Sequence, residues 1–423
     1  MTENSVSVLL TTVLSSVQEA FATLGKLSGT ERNRGVRAMA KGLGQNFAAI
    51  LEANTLDLEM SRDMAVPPYL VERIKLTPER LTATVELLNQ LAELPDPLQR
   101  VMKAPYQLNP SQTYCQLMPL GVVALIYEAF PELGAIAAGF CLKTGNSLVL
   151  RGCGASSHST AIIAQLLQES LTAIDFPCQF LGNLPSDEVP VIQDLVCQTR
   201  YLNLIVPYGR PSLVEQVAQQ ATLPVLKAAQ GNCYLYWSAK GDLELVRWMI
   251  LDSHTSEPDP VNAIEKVLLS PALNSALLVR LFNNLQEKDF QLRGDAALCE
   301  EFPNYLTLAK EGEWGKPYLE KIIAFRSTPD LATAIAWVNQ YSSGHADCIA
   351  TESYGESRQF ATGLDSALVY INTSPRFYRN SKQGESLFLG ISNQKGHRRG
   401  LIGLESFTTL KQVVQGSGRP PLP

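Results

Sequence analysis

The chain has 423 residues, 45% of them hydrophobic and 18% charged, with 35 Lys and Arg against 41 Asp and Glu for a formal net charge of −6. At about 150 residues per domain this length predicts two to three domains, and the apolar content excludes long disorder. Mild acidity argues against non-specific nucleic-acid binding, which needs clustered Lys and Arg.

The N-terminal segment carries Leu10, Val13, Leu14, Val17 and Phe21 at helical spacing and has no basic region before them. It reads as an amphipathic helix, not a signal peptide. No segment reaches the roughly 20 apolar residues of a membrane span, so a cytoplasmic protein is expected. Val36, Met39, Ala40, Leu43, Phe47, Ile50 and Leu51 form one helical stripe, with Thr30 as the expected N-cap. A further helix is predicted over residues 81–94, stopped by Pro95 and Pro97.

From Leu120 the pattern changes. Residues 121–127 form an apolar run that predicts a buried strand, 131–141 a small-residue helix, 147–150 a strand and 156–174 a helix. Residues 201–206 predict a strand, 211–220 a helix and 224–226 a short strand. A second block follows: strand 232–237, helices 243–251, 261–269 and 275–285, strand 321–325, helix 331–341 and strand 367–371. Strands alternating with helices imply an α/β fold with parallel sheets. The tail from Arg419 to Pro423 is expected to fray.

The eight cysteines, at 115, 141, 153, 178, 197, 233, 299 and 348, form no CxxC pair and no Cys/His cluster. A zinc site and a disulfide framework are therefore not expected, and a reducing compartment is. None of the four histidines, His158, His254, His345 and His397, pairs at metal-ligand spacing. His254, beside Asp252 and Asp259, has the chemistry of a general base, but the favoured reading is a loop histidine with local hydrogen bonds. Arg151-Gly152-Cys153-Gly154 follows a strand and precedes a helix. It is either a turn whose amides approach a phosphate or ribose, or an ordinary βα turn. Pro207-Tyr208-Gly209 is a similar strand-end turn. The glycine-punctuated basic segment 390–400, with Lys395, Arg398 and Arg399, is either an anion-binding loop or a solvated turn.

Several blocks carry a resemblance. The text PLGVVALIYEAFPELGAIAAGFCLKTGNSLVLRG from Pro119 to Gly152 is similar to the γ-glutamyl phosphate reductase (glutamate-5-semialdehyde dehydrogenase) family of the aldehyde dehydrogenase superfamily. Leu292-Arg293-Gly294-Asp295, Ser343-Gly344-His345-Ala346-Asp347, residues 365–372 and residues 390–405 match it in order. The resemblance implies an aldehyde-dehydrogenase-like fold: a Rossmann-type cofactor domain (1–231), an α/β catalytic domain (232–362), and a segment (363–423) that returns to the cofactor domain and serves oligomerisation. It implies NADPH/NADP as cofactor, glutamyl phosphate as substrate, a role in proline biosynthesis, a homo-oligomer, and glutamate 5-kinase as a partner.

The family mechanism runs through a cysteine thiolate that displaces phosphate and forms a thioester, with nearby amides stabilising the oxyanion. The resemblance assigns cofactor contacts to Arg151, Gly152 and Gly209, and substrate contacts to Ser392, Lys395 and Arg399. The family stretch QRPGVCNAVETLL aligns with residues 256–268, where Pro258, Asn262, Ala263 and Glu265 keep the register. Val261 then holds the nucleophile's place, with Asn262 beside it. The family's YESRPN reads Tyr127-Glu128-Ala129-Phe130-Pro131-Glu132, and its PRGG turn reads Pro207-Tyr208-Gly209-Arg210. Two expectations follow: a reductase with an altered nucleophile, or a catalytically silent paralogue that binds ligand or partner enzymes.

Overall fold

The computed structural model describes residues 3–107, 112–185, 192–255, 260–380, 386–396 and 398–416. The chain forms two compact units, one of residues 1–227, 380–389 and 402–423, the other of residues 228–379 and 390–401. The crossing at 227/228 precedes the boundary read from the sequence. Residues 363–379 and 390–401 belong to the second unit rather than to a separate C-terminal segment. Positions 256–259, His397 and the 419–423 tail lie outside the described residues.

The first unit opens with five helices, α1 (Glu3–Leu24), α2 (Gly29–Gln45), α3 (Phe47–Asp63), α4 (Pro68–Ile74) and α5 (Pro78–Glu93). The N-cap of α2 is Ser28, not Thr30. Ser28 accepts from the Glu31 amide while Glu31 accepts from the Ser28 amide, a reciprocal capping box. The long stripe is two helices, because Asn46 leaves helical geometry at φ −124°. Thr77 caps α5, and Pro78 sits in its first turn where a missing N–H costs nothing.

Strands β1 (Val101–Lys103) and β2 (Gln112–Pro119) pair antiparallel with each other, and β2 pairs with the C-terminal strand β17 (Thr408–Gln415). Next come β3 (Val122–Tyr127), α6 (Leu133–Lys143), β4 (Ser147–Arg151), α7 (Ser157–Thr172), β5 (Leu181–Asn183), α8 (Ile192–Val196), β6 (Leu204–Gly209) and α9 (Pro211–Gln220). Strands β5-β4-β3-β6 run parallel in that order. Strands β3 and β6 are buried along their whole length, which is why they read as continuous apolar runs. The short strand predicted at 224–226 is a single bridge, Val225 to Ile205. Because the chain runs outward from β3 to β5 and returns on the other side of β3, the topological switch point lies between β3 and β6. Ligands of open α/β sheets bind at the carboxyl ends of the strands beside such a point.

Asp57 on α3 anchors α7. Its fully buried carboxylate accepts from the His158 amide (3.0 Å) and the Ser159 amide (2.8 Å) and lies 3.0 Å from His158 Nδ1. Asp57→Ala leaves those amides without an acceptor and is expected to lower stability by about 2 kcal/mol. Urea unfolding measures this, and an unchanged midpoint would show that the cap contributes nothing.

The second unit begins with β7 (Ala228–Ala229) and continues through β8 (Cys233–Trp237), α10 (Leu243–Ser253), β9 (Ile264–Leu269), α11 (Ser275–Gln286), β10 (Gln291–Gly294), α12 (Ala296–Glu301) and β11 (Thr307–Leu308). Then come β12 (Ile322–Ser327), α13 (Leu331–Tyr341), β13 (Ala346–Ala350), α14 (Tyr354–Gly363), β14 (Leu368–Ile371), β15 (Gly390–Ser392) and β16 (Gly400–Ile402). Seven strands form a parallel sheet in the order β11-β10-β12-β9-β8-β13-β14. One face packs on Val246, Met249, Leu281 and Phe282, the other on Ala334, Val338 and Phe360. Residues 261–269 were expected to be helical; from Ile264 they form β9, buried at every position. A strand covered on both faces shows no alternation, so periodicity alone does not separate it from a buried helix.

Candidate functional site

In the first unit the sequence-predicted cofactor residues gather at the carboxyl edge of the sheet. Gly152 follows β4, and a Cβ there would lie 3.0 Å from Thr160 Oγ1, so glycine lets α7 approach the strand end. Beside it is a cavity of about 250 Å³ lined by Gly152, Cys153, Ser157, His158, Thr160, Asn183 and their neighbours. Arg151 turns back, donating from Nη1 to the Gly152 carbonyl at 2.6 Å. Gly209 ends β6 with φ +150°, and a Cβ there would meet Glu128 Cγ at 2.6 Å. The Glu128 carboxylate accepts from the Arg210 amide (2.6 Å), from Nε (3.0 Å) and from Nη2 (2.9 Å), joining the ends of β3 and β6 across the switch point. This carboxylate meets the positive end of α9. Ala129 and Phe130 both have positive φ, 59° and 49°, a strained pair of the kind that clusters at ligand sites. Phe130 stacks edge-on against Tyr208 at 6.3 Å, and Glu132 pairs with Arg80.

A dinucleotide's adenosine end fits this edge. The Gly152 cradle admits close backbone approach. Asn183 Oδ1 is buried without a hydrogen-bond partner and belongs to the cavity wall, as do the hydroxyl of Ser157 and the half-exposed ring of His158. These groups suit ribose hydroxyls.

In the second unit the predicted residues lie at the amino edge of the sheet. Val261 and Asn262 are both buried just before β9. The Val261 carbonyl accepts from the Gly231 amide at 2.8 Å, and Asn262 Nδ2 donates to the Pro375 carbonyl at 2.9 Å. Lys395 and Arg399 both pair with Asp365, and hydrogen bonding to Lys395 holds that carboxyl below its usual range. They line a polar cavity of about 200 Å³ with Ser342, Ser343, Gly344, Ser366 and Asn393. Three blocks distant in sequence, 342–344, 365–366 and 393–399, thus share one wall. Ser392 does not line it; its fully buried hydroxyl accepts from the Gln394 amide at 3.3 Å and shapes the loop.

Beneath that cavity, Asp347 accepts from the Tyr234 amide (2.8 Å) and from the Ser342 and Ser366 hydroxyls (2.7 and 2.5 Å). Burial pushes its carboxyl up to about 6. His254 is packed edge-on against Phe290, with Nε2 2.8 Å from the Ile264 carbonyl. Burial pushes it down to about 4. Asp252 pairs with Arg376 instead, so the structural role of His254 is the one observed. The Cys233 thiol is buried and pushed well up by desolvation, which removes it as a thiolate. Among the described residues no cluster of three His, Cys, Asp or Glu side chains offers a metal site, and no helix is long and apolar enough to cross a membrane. The Glu128–Arg210 clamp and the Asp57 anchor were not read from the sequence, because their partners are far apart along the chain; the Ser343–His345 contact was not read because the Asn232 amide that orients the hydroxyl is far away.

No protein-family model matches the sequence. The chain is 65% identical over 419 residues to γ-glutamyl phosphate reductase 2 of Synechocystis sp., covering 99% of this chain and 100% of that one. It is 35% identical over 417 residues to γ-glutamyl phosphate reductase of Gloeobacter violaceus, covering 99% of each. The crystal structure of γ-glutamyl phosphate reductase from Thermotoga maritima matches with TM-score 0.88 at 29% identity, over 98% of this chain and 100% of that one. Betaine aldehyde dehydrogenase from Staphylococcus aureus, solved in complex with NAD+, shares the fold with TM-score 0.69 at 16% identity, over 97% and 89%. With an aldehyde-dehydrogenase-like fold and whole-length identity of this order, the chain belongs to the γ-glutamyl phosphate reductase family.

Proposed function

We propose that the chain catalyses the NADPH-dependent reduction of L-glutamyl 5-phosphate to L-glutamate 5-semialdehyde and phosphate, in proline biosynthesis in the cytoplasm. The observation that carries this reading is the 65% identity to a reductase of this name over 99% of the chain. The silent-paralogue alternative is not favoured by a match of that length. The nicotinamide cofactor supplies the hydride. In the first unit Gly152, Ser157, Asn183 and Gly209 would hold it, and His158 and Arg151 give a 2′-phosphate two basic side chains to meet. In the second unit Lys395 and Arg399 take the substrate's anionic groups, and Asn393 and Ser343 add neutral donors. A homo-oligomer and contact with glutamate 5-kinase rest on the family resemblance.

Calorimetry checks the cofactor: NADPH is expected to bind at least tenfold more tightly than NADH, and equal affinities would sink the NADPH assignment. We place the family's reacting position at Val261. Val261→Cys fits in volume and adds a thiol, the better nucleophile. It is expected to raise acyl-phosphate turnover at least tenfold, and an unchanged rate would move the reacting position elsewhere.

A further inference from the structure

At the amino edge of the second unit's sheet, a hydroxyl and an imidazole meet beside the position where the resemblance puts the nucleophile. Ser343 Oγ accepts from the Asn232 amide at 2.7 Å and lies 3.0 Å from His345 Nδ1. With the amide on its acceptor side, the hydroxyl directs its proton to Nδ1. A ring that accepts at Nδ1 carries its own proton on Nε2, an atom the fold buries. His345 is fully buried, and desolvation pushes it down to about 4, so it is a neutral base at pH 7. A hydroxyl nucleophile with a base in hydrogen-bond reach is the core of an acyl-transfer site. The amide aimed at Oγ also favours the oxyanion form of the hydroxyl.

Position and access agree with that chemistry. Ser343 lines the cavity of about 200 Å³ that Lys395 and Arg399 also line. A Cβ on Gly231 would lie 2.8 Å from the Val261 carbonyl and 3.3 Å from Ser343 Oγ, so one glycine separates Ser343 from the backbone of Val261.

We propose that Ser343 is the acyl-accepting nucleophile of this chain and His345 its general base. The proposal rests on the reading of the substrate as an acyl phosphate. The Ser343 Oγ–H proton passes to His345 Nδ1 as Oγ bonds to the acyl carbon. The bond from that carbon to the phosphate oxygen breaks with its electron pair, and inorganic phosphate leaves toward Lys395 and Arg399. The product is an oxygen ester on Ser343, at the same oxidation level as the acyl phosphate.

The test uses the full-length protein and acetyl phosphate, with acid quench and peptide mass spectrometry. An acetyl group on Ser343 is expected, with labelling reduced at least tenfold in Ser343→Ala and in His345→Gln. A melting curve and the double variant Val261→Cys/Ser343→Ala guard against misfolding; in the double variant the acetyl group is expected to move to residue 261. No acetyl group at 343 in the wild type, or equal labelling in Ser343→Ala, overturns the proposal. Reduction of glutamyl phosphate without a Ser343 label would leave the reductase reading standing and remove the nucleophile assignment. A Ser343 label without any reduction would do the opposite.

Discussion

Between pH 7 and pH 4, His254, His345 and Asp347 together are expected to remove about 3 kcal/mol of folding stability. His254 and His345 are both pushed down to about 4 by desolvation, from an ordinary value of 6.5. The unfolded chain binds protons at these rings before the folded one does. Their contribution is therefore complete above pH 6.5 and lost as the pH falls toward 4, at about 3 kcal/mol each. Asp347 opposes them. Burial raises it to about 6 from 3.8, so the folded state takes up this proton first and gains about 3 kcal/mol as the pH falls from 6 to 4. Urea unfolding at pH 7, 5.5 and 4 measures the net. Asp347→Asn removes the opposing gain, so the loss between pH 6 and 4 should grow by about 3 kcal/mol. A stability independent of pH in both proteins would contradict the account.

Glu265→Leu is expected to destabilise the protein by about 3–5 kcal/mol, because it strands a buried charge. Glu265 and Lys266 are buried neighbours on β9 with their charged groups 3.7 Å apart. Burial pushes the carboxyl up and the ammonium down. The carboxylate also accepts from the Tyr318 and Leu319 amides at 2.6 and 2.7 Å, which fixes a loop where Leu319 has φ +60°. Lys266 Nζ donates to the Lys316 carbonyl and lies 3.6 Å from the centre of the Tyr318 ring. Losing the carboxylate leaves two amides and one ammonium without their partner. Replacing both residues by leucine removes the stranded charge too, and should cost less than Glu265→Leu alone. A double variant as unstable as the sum of the singles would show that the ion pair has no coupling energy.

Local chemistry made much of the fold legible. The apolar runs at β3, β6 and β8 and the start of α9 at Pro211 follow from burial and backbone rules. The misread element, β9, follows the stretch that the resemblance aligns with the family's reacting residues. Burial on both faces erased its alternation. The α2 cap was misplaced because Thr30 and Ser28 are both good N-caps, and the Glu31 side chain decides between them. In the candidate site, Lys395 and Arg399 were legible as a basic glycine-rich loop, and the structure adds Asp365, which holds both. Ser343 and His345 are two residues apart, yet the contact gains its meaning from the Asn232 amide, 111 residues away. Sequence spacing does not show which hydroxyl receives such an amide.

We propose that this chain, with Val261 at the position where the resemblance puts the family's thiol, still turns over the family's substrate. The direct measurement is phosphate-dependent NADP+ reduction by the purified protein with L-glutamate 5-semialdehyde, the reverse of the biosynthetic step. The predicted result is a rate above the protein-free background that disappears when phosphate is withheld and falls at least tenfold in Ser343→Ala. A wild-type rate at background, with phosphate and substrate saturating, would contradict it.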